Sequence, residues 1–162
     1  MNKVVLSALV DDLKLHHGIT MRYLKALHNE HLDWRPTEGV RTTRELVVHM
    51  YDGVLPMLNS LKTGTLTEAD NNAENAKAMK MTIEELRVYA KSVFEQYVAT
   101  VEAADDELLN KVIHIFYGDF PAGLMMKFFY DEHLLHRGQL SVYFRMLGIE
   151  PPFAYDFEHN EQ

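Results

Sequence analysis

Residues 122–147 read AGLMMKFFYDEHLLHRGQLSVYFRML. Within them Met125, Phe129, Glu132, His136, Leu140, Tyr143 and Leu147 recur at steps of three and four, so one line along a helix passes through all seven. Gly148 stands where a C-terminal cap belongs, and Pro151-Pro152 forbids continuation. The stretch predicts a long helix, buried along one face, from about Ala122 to Leu147.

Working outward, the helical period holds nearly everywhere. Leu6, Val10, Leu13, His17, Met21, Leu24 and Leu27 give one face to a helix over Lys3 to His28. Asn29 to Gly39 has loop character, with Trp34-Arg35-Pro36 reading as a packing plug. Thr42 and Glu45 form a capping box that starts a second helix, whose inner face carries Leu46, His49 or Met50, Gly53 and Met57. Pro56 is expected to kink or shorten its last turn. Lys62 to Lys80 is polar and reads as a long connection. A second box, Thr82 with Glu85, starts a third helix that ends near Ala104. Between Asp105 and Gly123, Val112, His114 and Phe116 alternate with Ile113, Ile115 and Tyr117, the pattern of a short extended segment.

Four amphipathic helices in 162 residues predict an all-α fold, a four-helix bundle with a crossover connection between helices two and three. The bundle is expected over residues 1–152, with 153–162 as a frayed tail.

Composition narrows the chemistry. The chain has no cysteine, so it forms no disulfide, holds no iron–sulfur or thiolate zinc site, and supplies no nucleophilic thiol of its own. That usage suits a reducing cytosol. A formal net charge of -8 gives no general attraction to nucleic acid or anionic membranes. No apolar run reaches the roughly 18 residues a membrane span needs, and Asp11 and Asp12 interrupt the N-terminal apolar stretch that a signal peptide would require.

Glu132 and His136 fall mid-stripe, one turn apart. A carboxylate among apolar residues is costly unless it is paired or bound to a metal. Spacing alone leaves two readings: an internal Glu–His hydrogen bond, or two ligands of one ion. His49 on helix two is the candidate third ligand, giving two histidines and a carboxylate with coordination positions left open. His133 also lies within reach of an ion on His136. Its line carries Tyr130, Arg137 and Phe144, which places Glu132 on the buried line and His133 at the rim. His17 and the methionines at 21, 50, 57, 125 and 126 read as core.

The run Glu132-His133-Leu134-Leu135-His136-Arg137-Gly138-Gln139-Leu140, with Val142 to Gly148 and Pro151-Pro152, resembles the last helix of the DinB-like, damage-inducible family related to YfiT-like metal hydrolases. Leu32-Asp33-Trp34-Arg35-Pro36 and Arg44-Glu45-Leu46-Val47-Val48-His49 match in order. The resemblance implies a bundle, often dimeric, holding one divalent metal, nickel or zinc, with His49, Glu132 and His136 at the ligand positions. The middle position is commonly histidine in the family. Glu132 there favours a harder site of two histidines and one carboxylate.

Assigned members resemble thiol-dependent transferases and isomerases. The implied function is metal-dependent transfer of a low-molecular-weight thiol to a small-molecule electrophile, in the cytoplasm. The alternatives are a metal-dependent hydrolase and a stress protein that binds metal or ligand without turnover. Arg137 and Arg145 are candidates either to steer an anionic thiol or to form surface ion pairs. DNA binding is not expected.

Overall fold

A computed structural model describes residues 1–160, and the chain is mostly helical. Helix α1 spans Lys3–Ala26, α2 Thr43–His49, α3 Val54–Thr63, α4 Glu68–Ala78, α5 Ile83–Ala103, α6 Asp106–Asn110 and α7 Ala122–Met146. Three short strands, β1 (Thr65–Leu66), β2 (Val112–Ile115) and β3 (Gly118–Pro121), make a small sheet in the order β1-β2-β3. β1 runs parallel to β2, with Thr65 opposite His114, and β2 runs antiparallel to β3, with His114 opposite Asp119.

Helix starts follow from local side-chain chemistry. The Glu45 N–H donates to Thr42 Oγ1 at 3.1 Å and the Thr42 N–H to Glu45 Oε2 at 2.6 Å, so two orphan donors are satisfied reciprocally. Thr82 and Glu85 do the same for α5 at 3.3 and 2.8 Å. Helix ends borrow cations from neighbours. Arg87 of α5 donates to the carbonyls of Leu24 and Leu27 at the end of α1, each at 2.9 Å. Lys3 of α1 returns the favour at the end of α5, reaching Val101 O at 3.0 Å.

Two expectations differ from the structure. Helix two is broken: residues 50–53 turn between α2 and α3, and Pro56 lies in the first turn of α3. Backbone N–H groups there have no intrahelical partner, so a residue without one is tolerated at a start. Pro56 therefore marks a beginning and not an end. The polar stretch 62–80 is no mere connection; it holds β1 and α4, started by Thr67, whose Oγ1 accepts from the Asp70 N–H at 3.2 Å. Between 105 and 123 the extended reading holds for β2 and β3, with Ile113 and Ile115 turned inward.

α1 packs against α5 and α7, and α3 packs against the same two helices. Leu6, Leu13, Leu24, Leu86 and Val93 are fully buried or nearly so, each worth roughly 1.5–3 kcal/mol of transfer free energy. The Tyr97 hydroxyl donates to Met126 O at 2.9 Å and ties α5 to α7 inside this core. Segment 153–160, expected to fray, lies along α1. Arg22 pairs with Asp156 at 3.1 Å, and the Asn160 amide donates to Leu15 O at 2.9 Å. Gly18 permits that approach, since a Cβ there would stand 2.6 Å from Asn160. No helix among the described residues is long and apolar enough to cross a membrane.

Candidate metal centre

α2 and α7 lie side by side, and their contact brings His49, Glu132 and His136 together. One donor atom from each lies within 4.8 Å of the other two. His136 Nε2 is 2.7 Å from Glu132 Oε2, and His49 Nε2 is 3.7 Å from that oxygen. The two imidazoles meet edge to face with centroids 4.7 Å apart. A tetrahedral ion with bonds of about 2.0–2.1 Å separates its ligand atoms by roughly 3.3 Å. The observed gaps bracket that value, and the donor set suits a borderline or hard divalent ion.

His136 Nδ1 lies 2.9 Å from Gln139 Oε1. With the amide oxygen accepting, Nδ1 carries a hydrogen and Nε2 is turned to the Glu132 carboxylate. At 2.7 Å, Nε2 and the carboxylate oxygen share either a proton or a metal ion. Burial and the Arg41 charge push His49 below the usual histidine pKa, which keeps its own lone pair free near neutral pH. The centre faces solvent on one side: the His136 side chain is 5% exposed, His49 35% and Glu132 48%.

Those exposures correct two placements read from sequence. Glu132 lies on a largely buried line but is itself half exposed, and His133 is not at the rim: it is completely buried. The buried residues of α7 include Met125, Phe129, His136, Leu140 and Tyr143 of the line read from sequence, and a second line through Met126, His133 and Phe144 is buried beside it. Glu132 reaches His136 from the solvent side. His133 turns to α1, where its Nε2 meets Thr20 Oγ1 at 2.8 Å. Beside it, His17 stacks on Phe94 at 3.8 Å and its Nδ1 lies 3.3 Å from the Tyr51 hydroxyl. Burial holds His133 well below the usual pKa and His17 down at about 3. His17 is core, as expected.

Arg137 is also corrected. It does not turn to solvent; its Nη1 donates to His16 Nδ1 at 3.0 Å and to His16 O at 3.1 Å, bracing α7 on α1. Arg145 bonds its own helix at Ser141 O, 3.0 Å away. Neither bonds to His49, Glu132 or His136. Trp34 packs edge-on against Tyr143 at 5.6 Å, and its carbonyl accepts from the Thr43 N–H at 2.8 Å, so the plug locks the start of α2.

A chamber of about 520 Å³ opens from the centre, lined mainly by apolar groups such as Met57, Met125, Phe128 and Phe129, with His49 and Glu132 on its wall. Its volume suits a small-molecule ligand. Phe116 and Tyr117, at the β2–β3 turn, form part of the lining. Asp52, 3% exposed, contributes a carboxyl that burial pushes toward its neutral form; its Oδ2 accepts from the Asn75 amide at 2.6 Å. Sequence reading missed Gln139 and Asp52. Gln139 had a legible signal, three residues after His136 on the same helix. Asp52 had none, because the turn at 50–53 breaks the period that would have placed it.

The sequence matches the DinB family over residues 1–162. The chain belongs to the DinB family. It is 25% identical over 142 residues to the uncharacterized protein YjoA of Bacillus subtilis (strain 168), which spans 85% of this chain and 88% of that one. The crystal structure of that DinB-like protein superposes with a TM-score of 0.68, covering 91% of this chain and 97% of the other at 24% identity. A DinB-like protein from Bacillus cereus ATCC 10987 gives 0.71 at 18% identity, covering 91% and 95%. The mycothiol-dependent maleylpyruvate isomerase gives 0.69 at 15% identity, covering 86% of this DinB chain but 61% of that enzyme. At these identities the structural matches show the fold alone.

Proposed function

We propose that this DinB-family protein holds one divalent metal ion on His49, Glu132 and His136 and transfers a low-molecular-weight thiol to a small electrophile. The convergence of those three side chains at the wall of an apolar chamber carries the reading. The likeness to a mycothiol-dependent isomerase supports the thiol. The helical frame is then a four-helix bundle of the DinB type, with α1, α2–α3, α5 and α7 as its members and 153–160 as an appended segment. Zinc or nickel suits the donor set. A dimer in the cytoplasm belongs to the same reading.

A bound divalent ion supplies positive charge that lowers the pKa of a thiol brought to it. The chain's own groups do the rest. Gln139 fixes the His136 ring through Nδ1 and keeps Nε2 turned to the centre. Solvent-side placement of Glu132 and His49 leaves room for a third party. The apolar lining takes the body of the electrophile and excludes water from it.

The test is turnover of metal-loaded protein with model electrophiles, with and without added thiol. Product formation that requires thiol supports transfer. Hydrolysis without thiol would replace it with bound-water chemistry. No turnover with either would leave a binding protein.

A further inference from the structure

A second chamber of about 520 Å³ lies beside the first. Arg35 and Arg41, from the segment leading into α2, line it together with Asn71, Asn72 and Asn75 from α4. His49, Asp52 and Asn71 line both chambers, so the edge of the proposed metal centre is shared. One chamber is apolar and the other polar.

The polar chamber is lined by two arginines, Arg35 and Arg41, and two carboxylates, Glu45 and Asp52. Glu45 is engaged: its Oε2 accepts from the Thr42 N–H at 2.6 Å and stands 3.7 Å from Arg35. Asp52 takes the Asn75 amide. Arg41 uses its carbonyl to accept from the Tyr143 hydroxyl at 2.8 Å, while its guanidinium has no hydrogen bond or ion pair among the described residues. That guanidinium is exposed at the chamber, and its charge acts on His49 and Asp52.

α4 is the second, independent observation. It spans eleven residues and fully buries only Ala78, with Glu74 and Asn75 half-buried beside Tyr89 and Asp52. It places asparagine at 71, 72 and 75, although asparagine is a poor helix former that competes for its own backbone. Local propensity is given up where the helix faces the chamber, a conflict of the kind found at functional or strained sites. Asn75 serves Asp52. Asn71 and Asn72 remain as amides available to a ligand.

We propose that the polar chamber is a carboxylate subsite, in which the Arg41 guanidinium and the Asn71 and Asn72 amides hold the carboxylate of the thiol cosubstrate with its sulfur toward the His49 edge. The fork of an arginine matches a carboxylate bidentately, which a neutral hydroxyl cannot reproduce. The thiol identity rests on the function proposed above; the carboxylate subsite does not.

The experiment compares mercaptoacetate with mercaptoethanol, which differ in the carboxylate. Arginine side-chain N–H signals of isotope-labelled protein are followed by NMR during titration, first without metal and then with zinc. Saturable movement of the Arg41 signal by mercaptoacetate is expected, with binding about tenfold or more tighter than mercaptoethanol, a difference of roughly 1.4 kcal/mol. Arg41→Gln should bring the two ligands within about twofold of each other, and Arg41→Lys should recover part of the preference. Unchanged backbone spectra establish that the variants fold. Zinc should tighten mercaptoacetate further. If it does not, the subsite stands and the thiol reading falls. Equal response to both ligands, or a preference that survives Arg41→Gln, would overturn the subsite.

Discussion

Glu132 and His136 approach within 2.7 Å across one turn of α7 while differing in surroundings, the imidazole buried and the carboxylate half in water. The histidine is a fixed partner, clamped through Nδ1 by Gln139. The glutamate, half exposed, meets only His136 and His49 among the described residues.

Gln139 should therefore matter although it stands behind the centre. Gln139→Leu is expected to weaken divalent-metal affinity by about 10–100-fold, the usual cost of losing the partner of a ligating histidine, with little change in melting temperature of the metal-free protein. Competition titration with a chromophoric chelator measures it. Affinity equal to wild type would mean that the ring is held by packing alone.

His133 should behave as a structural residue. It is fully buried against Thr20. His133→Ala leaves a cavity and strips Thr20 of a partner, and it should lower unfolding stability by about 2–4 kcal/mol. Metal affinity of the folded fraction should stay within about tenfold of wild type. Urea denaturation and metal titration on the same preparation separate the two effects.

Acid should destabilise the fold through His17. Burial lowers its pKa from 6.5 to about 3 in the folded state, so the unfolded chain takes up the proton first as pH falls. The stability it contributes is intact above about pH 6.5 and is lost toward pH 3, at up to about 1.4 kcal/mol per pH unit. His17→Phe, which keeps the stack on Phe94, should flatten the pH dependence of the urea midpoint in that window. An unchanged slope would show that His17 is already protonated in the folded protein.

The dimer carried by the family resemblance needs an apolar face. Leu135, Val142 and Met146 are more than half exposed on α7, at spacings that share one side of the helix. Light scattering at micromolar concentration should give twice the chain mass, and Val142→Asp should give the monomer. A wild-type monomer would remove the dimer.

Much of this was legible in the sequence. Thr42 with Glu45 and Thr82 with Glu85 placed two helix starts, and Gly148 with φ 75° ended the last helix. Most of the buried line of α7 was legible too; the placement of His133 was not, because Phe129, His136 and Leu140 serve two lines at once and both are buried. α4 escaped notice because its polar composition hides the helical period, although Thr67 and Asp70 held a capping signal. The second chamber could not be foreseen for the same reason: it exists where α4 folds back beside α2.

The central claim is that His49, Glu132 and His136 hold one divalent ion. Its most direct measurement is metal content by elemental analysis after equilibrium dialysis against zinc or nickel, using protein without a histidine tag. The wild type should hold about one ion per chain, and His49→Ala and His136→Ala none. Since an ion that binds only the folded protein stabilises it by mass action, a chelator should lower the melting temperature of the wild type and leave both variants unmoved. An ion retained equally by all three proteins, or none retained by the wild type, would contradict the account.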